Sequence, residues 1–253
     1  FNVDDVGYAS AAAAGLDGGT LNPTGASVGT NQGFSIIKWT GDGQAGRTIS
    51  HGLSQTPSFI VHKAVTNGVY GWNSWHKSLS TNYYISLNTA SAQDNSVNIW
   101  PTAGITDSVI TTTSESEKYN NLSGQTHIAY IWHDVPGLQK FGKYTGNGNA
   151  DGPFIELGFR PAVLLTKRID GGSNNWQIID AKRSPHNVAN TILKPDESSA
   201  ETSHADYATD FLSNGFKHRT GHVARNGSGN TYIYAAWAEA PTFNLFGAQS
   251  NAR

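Results

Sequence analysis

The sequence predicts an all-β protein: two tandem antiparallel β-sandwich modules, jelly-roll-like, behind an N-terminal arm. Three observations carry that expectation. Apolar residues come in short runs, several of them alternating with polar residues as half-buried strands do. Turn signals such as Asp17-Gly18, Asn67-Gly68 and Asp170-Gly171-Gly172 separate the runs, and no long segment has a helical period. The chain also repeats itself. Lys38-Trp39-Thr40-Gly41-Asp42-Gly43 returns as Lys143-Tyr144-Thr145-Gly146-Asn147-Gly148, a step of 105 residues. Pro57 with Phe59-Ile60-Val61 and Lys63 answers to Pro161 with Val163-Leu164-Leu165 and Lys167. Trp72 answers to Trp176, and Thr126 to Trp132 answers to Thr231 to Trp237.

The expected domains follow from the repeat: an arm or linker over 1–32, a first sandwich over 33–138, a second over 139–241, and a tail over 242–253. Each repeat is long enough to bury a core of its own. The arm holds an alanine run, Ala11 to Ala14, too short for a stable helix without packing, followed by Gly-rich text. In the first repeat, strands are expected at Phe34–Trp39, Ser58–Lys63, Gly71–His76, Tyr83–Leu87, Val97–Trp100, Ser108–Thr112 and His127–Trp132. In the second they are expected at Lys140–Tyr144, Phe154–Leu157, Ala162–Lys167, Trp176–Asp180, Phe211–Lys217 and Thr231–Trp237, with a short helix near Ser199-Ala200-Glu201. Trp72, Trp176, Trp132 and Trp237 are the expected inward anchors.

Charged residues make up only 14% of the chain, so hydroxyls and amides must dominate the surface. That balance is common in secreted and virion-surface β-proteins. A net charge of −2 provides no electrostatic footprint for nucleic acid or an anionic membrane. With no cysteine, disulfides, thiol nucleophiles and thiolate metal sites are excluded. The chain also lacks methionine, which suggests a processed product or the C-terminal portion of a longer polypeptide. No apolar run is long enough to span a membrane as a helix.

Candidate chemistry is sparse. The repeated Thr-Gly-Asp/Asn-Gly loops contain Asp42 and Asp151, the carboxylates a calcium ion would need. Each loop supplies only one, and Gly and Asn there suit tight turns, so turn geometry is the preferred reading. His218 and His222 are four apart, but the text between them is loop-like and does not align them as zinc ligands. His76-Lys77-Ser78 is not a known nucleophile arrangement. Glu115 with Glu117, and Glu197 with Glu201, are carboxylate pairs in hydrophilic text that reads as solvated loop. No base, orienter and oxyanion hole assemble from these residues, so no enzyme and no cofactor are expected. Tyr70, Trp75, Tyr83, Tyr84 and Trp100 are the rings that would stack on sugars while amides bond the hydroxyls. The competing reading places those rings in the core or at a subunit interface.

With these residues laid out, the chain resembles a phage protein family of virion and tail-fibre genes, common in marine and environmental phages. The matching text includes Gly33-Phe34-Ser35-Ile36-Ile37-Lys38, Thr40 to Gly46, His51-Gly52-Leu53 and His76-Lys77-Ser78-Leu79. It continues in Phe141 to Gly148, Asp151-Gly152-Pro153-Phe154, Gly158 to Ala162, Asp210 to Lys217 and Ser250-Asn251-Ala252-Arg253. The resemblance implies a virion surface appendage, assembled in the bacterial cytoplasm, in which this chain is the C-terminal part of a fibre or spike. It implies homotrimers, contacts with other virion proteins, and attachment to host-surface polysaccharide. It assigns no catalytic residue. A purely architectural role (capsid decoration, baseplate, tail component or extracellular filament) is the alternative, with a glycan depolymerase a third.

Overall fold

The structure is a computed structural model, and it describes residues 1–66, 71–95, 99–112 and 120–240. The expectations that fall on Tyr70, Asn67-Gly68, Val97-Asn98, Glu115, Glu117 and the tail lie outside the described residues. The chain is all-β: beyond strands, the described residues hold only two three-residue 3-10 turns. It forms two compact units, one of residues 1–87 and 93–133, the other of 88–92 and 134 onward.

Unit 1 contains β1 (Asn2–Val3), β2 (Val6–Gly7), β3 (Gly25–Gly29), β4 (Phe34–Thr40), β5 (Thr48–Ser50), β6 (Phe59–Ala64), β7 (Asn73–His76), β8 (Ile85–Ser86), β9 (Val109–Thr111) and β10 (Thr126–Trp132). Its large sheet runs β2-β1-β3-β4-β10-β6-β7-β8, and β5 pairs with β9 in a small second sheet. Alternate residues of β10 are buried, which is why His127, Ala129 and Ile131 enter the core while Trp132 stays half-buried. Ile37 and Trp39 of β4, Ile60 of β6, and Ile49 and Ile110 of the small sheet share one apolar cluster, so the two sheets face each other across the core.

Unit 2 contains β11 (Gln139–Thr145), β12 (Phe154–Glu156), β13 (Pro161–Arg168), β14 (Gln177–Asp180), β15 (Thr191–Leu193), β16 (Thr202–Ser203), β17 (Thr209–Leu212), β18 (Gly215–His218) and β19 (Thr231–Ala238). Its sheets run β11-β19-β13-β14-β15-β16 and β12-β18-β17. Leu164, Ile179, Tyr232 and Ala236 of the larger sheet meet Ile155, Phe211 and Phe216 of the smaller. The series β4-β10-β6-β7 in unit 1 corresponds to β11-β19-β13-β14 in unit 2. Registers agree as well: Thr126 faces Thr40, and Thr231 faces Thr145. Within unit 2, Lys167 Nζ donates to Ala90 O at 2.7 Å and to Asn174 O, tying the 88–92 segment to β13. Burial pushes the Lys167 ammonium down to about 8.

Several expectations need correction. Residues 1–32 are not a separate arm. They supply β1 to β3, and Ala11, Leu16 and Val28 are buried in the unit 1 core. The alanine run makes a single turn, with Leu16 N–H donating to Ala11 O, and delivers Leu16 inward. The boundary between units falls at 133/134, five residues before the expected 138/139. Phe211–Lys217 is a hairpin, β17 turning into β18 through Ser213-Asn214, with Leu212 facing Gly215. No helix forms at Ser199–Glu201; β16 follows directly, then a 3-10 turn at Ala205–Tyr207. Trp176 is buried as expected, whereas Trp72, Trp132 and Trp237 are half-buried. The central rings are instead Trp39, Trp100 and Tyr232.

Candidate functional site

The repeated Gly-rich loops are turns held by asparagines. After β4, Asn121 Nδ2 donates to Asp42 Oδ1 at 2.8 Å and to Gln44 O at 2.7 Å, while Asp42 N–H donates back to Asn121 Oδ1 at 3.2 Å. After β11, Asn226 Nδ2 donates to Asn147 Oδ1 and Asn149 O, both at 2.8 Å, and Asn147 N–H returns a bond to Asn226 Oδ1 at 2.8 Å. Gly43 N–H bonds Asn121 O as Gly148 N–H bonds Asn226 O. Asn121 and Asn226 are both fully buried, so their amides act as internal plugs whose polar atoms are matched.

This arrangement uses up the carboxylates that calcium would require. Burial alone would raise the Asp42 carboxyl; bonds from Gln44 N–H, Asn121 and Arg47 outweigh it and hold the group below the usual range. Arg47 Nε lies 2.6 Å from Asp42 Oδ2. Asp151 is exposed and paired with Lys217 at 2.6 Å, and that bond keeps its carboxyl low. Among the described residues, no group of three or more His, Asp or Glu is placed to hold a metal ion.

Among the described rings of the candidate sugar platform, the two tryptophans are withdrawn from the surface. Trp100 is fully buried and Trp75 is 4% exposed, both within the unit 1 core, where no sugar reaches their faces. Trp100 is edge-on to His62, with ring centres 5.8 Å apart. Tyr83 and Tyr84 are half-buried, and Tyr84 packs against the same core. The expected Glu197 and Glu201 are held by separate cations, Lys194 at 3.1 Å and Arg183 at 2.9 Å. His218 is buried while His222 is half exposed and lies 3.5 Å from Asp206, so the two do not share a ligand-binding face.

The core of unit 1 holds a neutral histidine pair. His127 Nε2 reaches Leu122 O at 3.4 Å, which assigns that nitrogen the hydrogen. His127 Nδ1 then accepts from His62 Nε2 at 3.0 Å. Trp39 stacks on both rings, at 5.5 and 5.3 Å. Burial pushes His127 down to about 4 and holds His62 well below its ordinary range.

A cleft of about 310 Å³ opens in unit 1, lined by Gly15, Gly18, Ser50, Gly52, Ser54, Asp107, Ser108 and Val109. That volume lies at the small end of ligand clefts. Three stretches build it: the turn after the alanine run, the end of β5, and the turn before β9. The buried His51 joins two of them. Leu53 N–H donates to His51 Nδ1 at 3.3 Å, so Nε2 carries the hydrogen and donates to Thr106 O at 3.2 Å. Burial pushes His51 down to about 4, so it serves as a neutral strut. Thr106 Oγ1 accepts from Ser108 N–H and Val109 N–H, fixing the turn that projects Asp107. Asp107 is exposed and forms no ion pair among the described residues. Three serine hydroxyls, one carboxylate and glycine backbone make a surface suited to a neutral polyhydroxylated ligand. The sequence named Asp17-Gly18 as turn text and His51-Gly52-Leu53 as matching text, but nothing in it joined these residues to Asp107 and Ser108.

Residues 7–241 match the family model described as "Domain of unknown function (DUF7483)", and the chain belongs to that family. No curated protein and no solved structure matches the chain.

Proposed function

We propose that this DUF7483 chain is a bacteriophage virion structural protein, the C-terminal part of a tail-fibre or spike-type appendage that attaches to host-surface glycan. It acts by binding alone, as a homotrimer joined to other virion proteins. The setting is supported by the motif resemblance and by the charge-poor, hydroxyl-rich composition. The observation that carries attachment is the unit 1 cleft, whose serines and unpaired Asp107 present both donors and acceptors to sugar hydroxyls. Recognition there depends on hydrogen bonds, since Trp75 and Trp100 are buried in the core. Titration of purified host polysaccharide fragments tests the cleft. Asp107→Ala is expected to weaken binding about tenfold, the worth of roughly one charge-assisted hydrogen bond, with melting temperature unchanged. Equal binding by the variant, or no binding by the native chain, overturns the cleft assignment.

A purely architectural virion role is the second reading. It is favoured by the burial of Trp75 and Trp100, which makes those rings packing elements. In that reading the chain tiles a shell, tube or baseplate, and the cleft stays empty when polysaccharide is present.

A further inference from the structure

Arg225 in unit 2 is fully buried, and its Nε, NH1 and NH2 atoms have no hydrogen-bond partner among the described residues. A guanidinium carries five N–H donors, and water-free burial of such a group without acceptors is strongly unfavourable. The backbone of Arg225 is well placed: its N–H donates to His222 O at 3.0 Å, and its O accepts the Tyr144 hydroxyl at 2.8 Å. The problem is therefore confined to the side chain. Among the described residues no carboxylate pairs with it. The titratable neighbours it senses are Tyr144 and Tyr207, and burial holds Tyr144 well above its ordinary range, so that hydroxyl stays neutral and brings no countercharge. His218 is also fully buried, with Nε2 unpartnered and Nδ1 3.1 Å from Thr209 Oγ1. Burial, reinforced by the Arg225 charge, keeps His218 neutral. Burial lowers Arg225 itself only to about 10, so the guanidinium is cationic at neutral pH. At the matching place in unit 1 stands Asn120, neutral, with Nδ2 donating to Ile99 O at 2.6 Å. The charge is thus a property of unit 2 and is not required by the sheet framework.

We propose that unit 2 contains an internal anion site at Arg225, taking a small monovalent anion of chloride size. The anion supplies both the missing acceptor and the missing charge. Arg225 is fully buried, so the occupant proposed is small. Water of hydration donating to His218 Nε2 satisfies that atom as well. The site is independent of the unit 1 cleft.

The test compares the whole chain in sodium gluconate and sodium chloride at equal ionic strength. Chloride is expected to raise the melting temperature, the gain growing with the logarithm of its concentration. Arg225→Gln is expected to lose the dependence and Arg225→Lys to keep part of it. Crystals grown in bromide are expected to show an anomalous peak against the guanidinium. Equal melting in both salts, or a chloride shift of the same size in Arg225→Gln, overturns the proposal. If Arg225→Gln does not fold, the bromide crystal decides: a peak at Arg225 supports the site, and water alone there overturns it.

Discussion

Asn121 Nδ2 lies 2.8 Å from Asp42 Oδ1, and Asn226 Nδ2 lies 2.8 Å from Asn147 Oδ1. The second pair is the first displaced by 105 residues in each member. In both units a fully buried amide ties the loop after one strand, β4 or β11, to the turn that leads into its partner strand, β10 or β19. Asn226 does more than its counterpart, since its Nδ2 also reaches Thr220 O at 2.8 Å. Truncating either residue removes all of these bonds and empties a fully buried position. Asn121→Ala and Asn226→Ala are each expected to lose roughly 2 kcal/mol, the Asn226 variant more. Urea unfolding of the two variants checks this.

Close backbone approach at the same loops makes a second, matched pair. A Cβ on Gly41 would sit 2.3 Å from Leu122 O, and one on Gly146 would sit 2.3 Å from Gly227 O. The obstacle in each case is backbone carbonyl, which cannot rotate away. Gly41→Ala and Gly146→Ala are expected to destabilise by roughly 1–3 kcal/mol or more, again measured by urea unfolding. Gly7, with nothing near its Cβ, is the control and should tolerate alanine.

The repeated motifs, the all-β class and most strands were legible because alternation and turn chemistry are local. The asparagine plugs were missed, although the repeat carried their signal: Asn121-Leu122-Ser123-Gly124 and Asn226-Gly227-Ser228-Gly229 recur at the same 105-residue step. The first 32 residues were misread because Gly-rich text and an alanine turn give no period. What makes them structural is Leu16 and Val28 meeting the rest of unit 1 in its core. Trp75 and Trp100 were left open between a sugar platform and the core for a related reason: neighbours in sequence say nothing about a ring's neighbours in space. Neither the cleft nor Arg225 was legible, because the cleft joins residues 15, 52 and 107, and the isolation of Arg225 depends on what does not reach it.

The buried histidines make stability pH-dependent. His51 and His127 titrate near 4 when folded and near 6.5 when unfolded. Between those values the unfolded chain binds more protons, so stability falls as pH drops from 6.5 toward 4. Each site contributes on the order of 3 kcal/mol over that window. His127→Phe is expected to flatten the slope of unfolding free energy against pH. An unchanged slope would assign the acid sensitivity elsewhere.

The packing role of Trp100 separates from ligand binding. Trp100→Ala opens the unit 1 core and is expected to cost roughly 3–5 kcal/mol, whereas Tyr83→Ala, at a half-buried ring, should cost less. Thermal melts give the comparison. Calcium and a chelator are expected to leave the native melting temperature unchanged, because Asp42 and Asp151 are already engaged by Arg47 and Lys217.

Imaging intact particles with this chain labelled tests the proposed role most directly. The account predicts trimeric density at the distal end of a fibre or spike, where the unit 1 cleft can meet the host surface. Continuous lateral tiling of a capsid, tail tube or filament by this chain would contradict attachment and leave the architectural role.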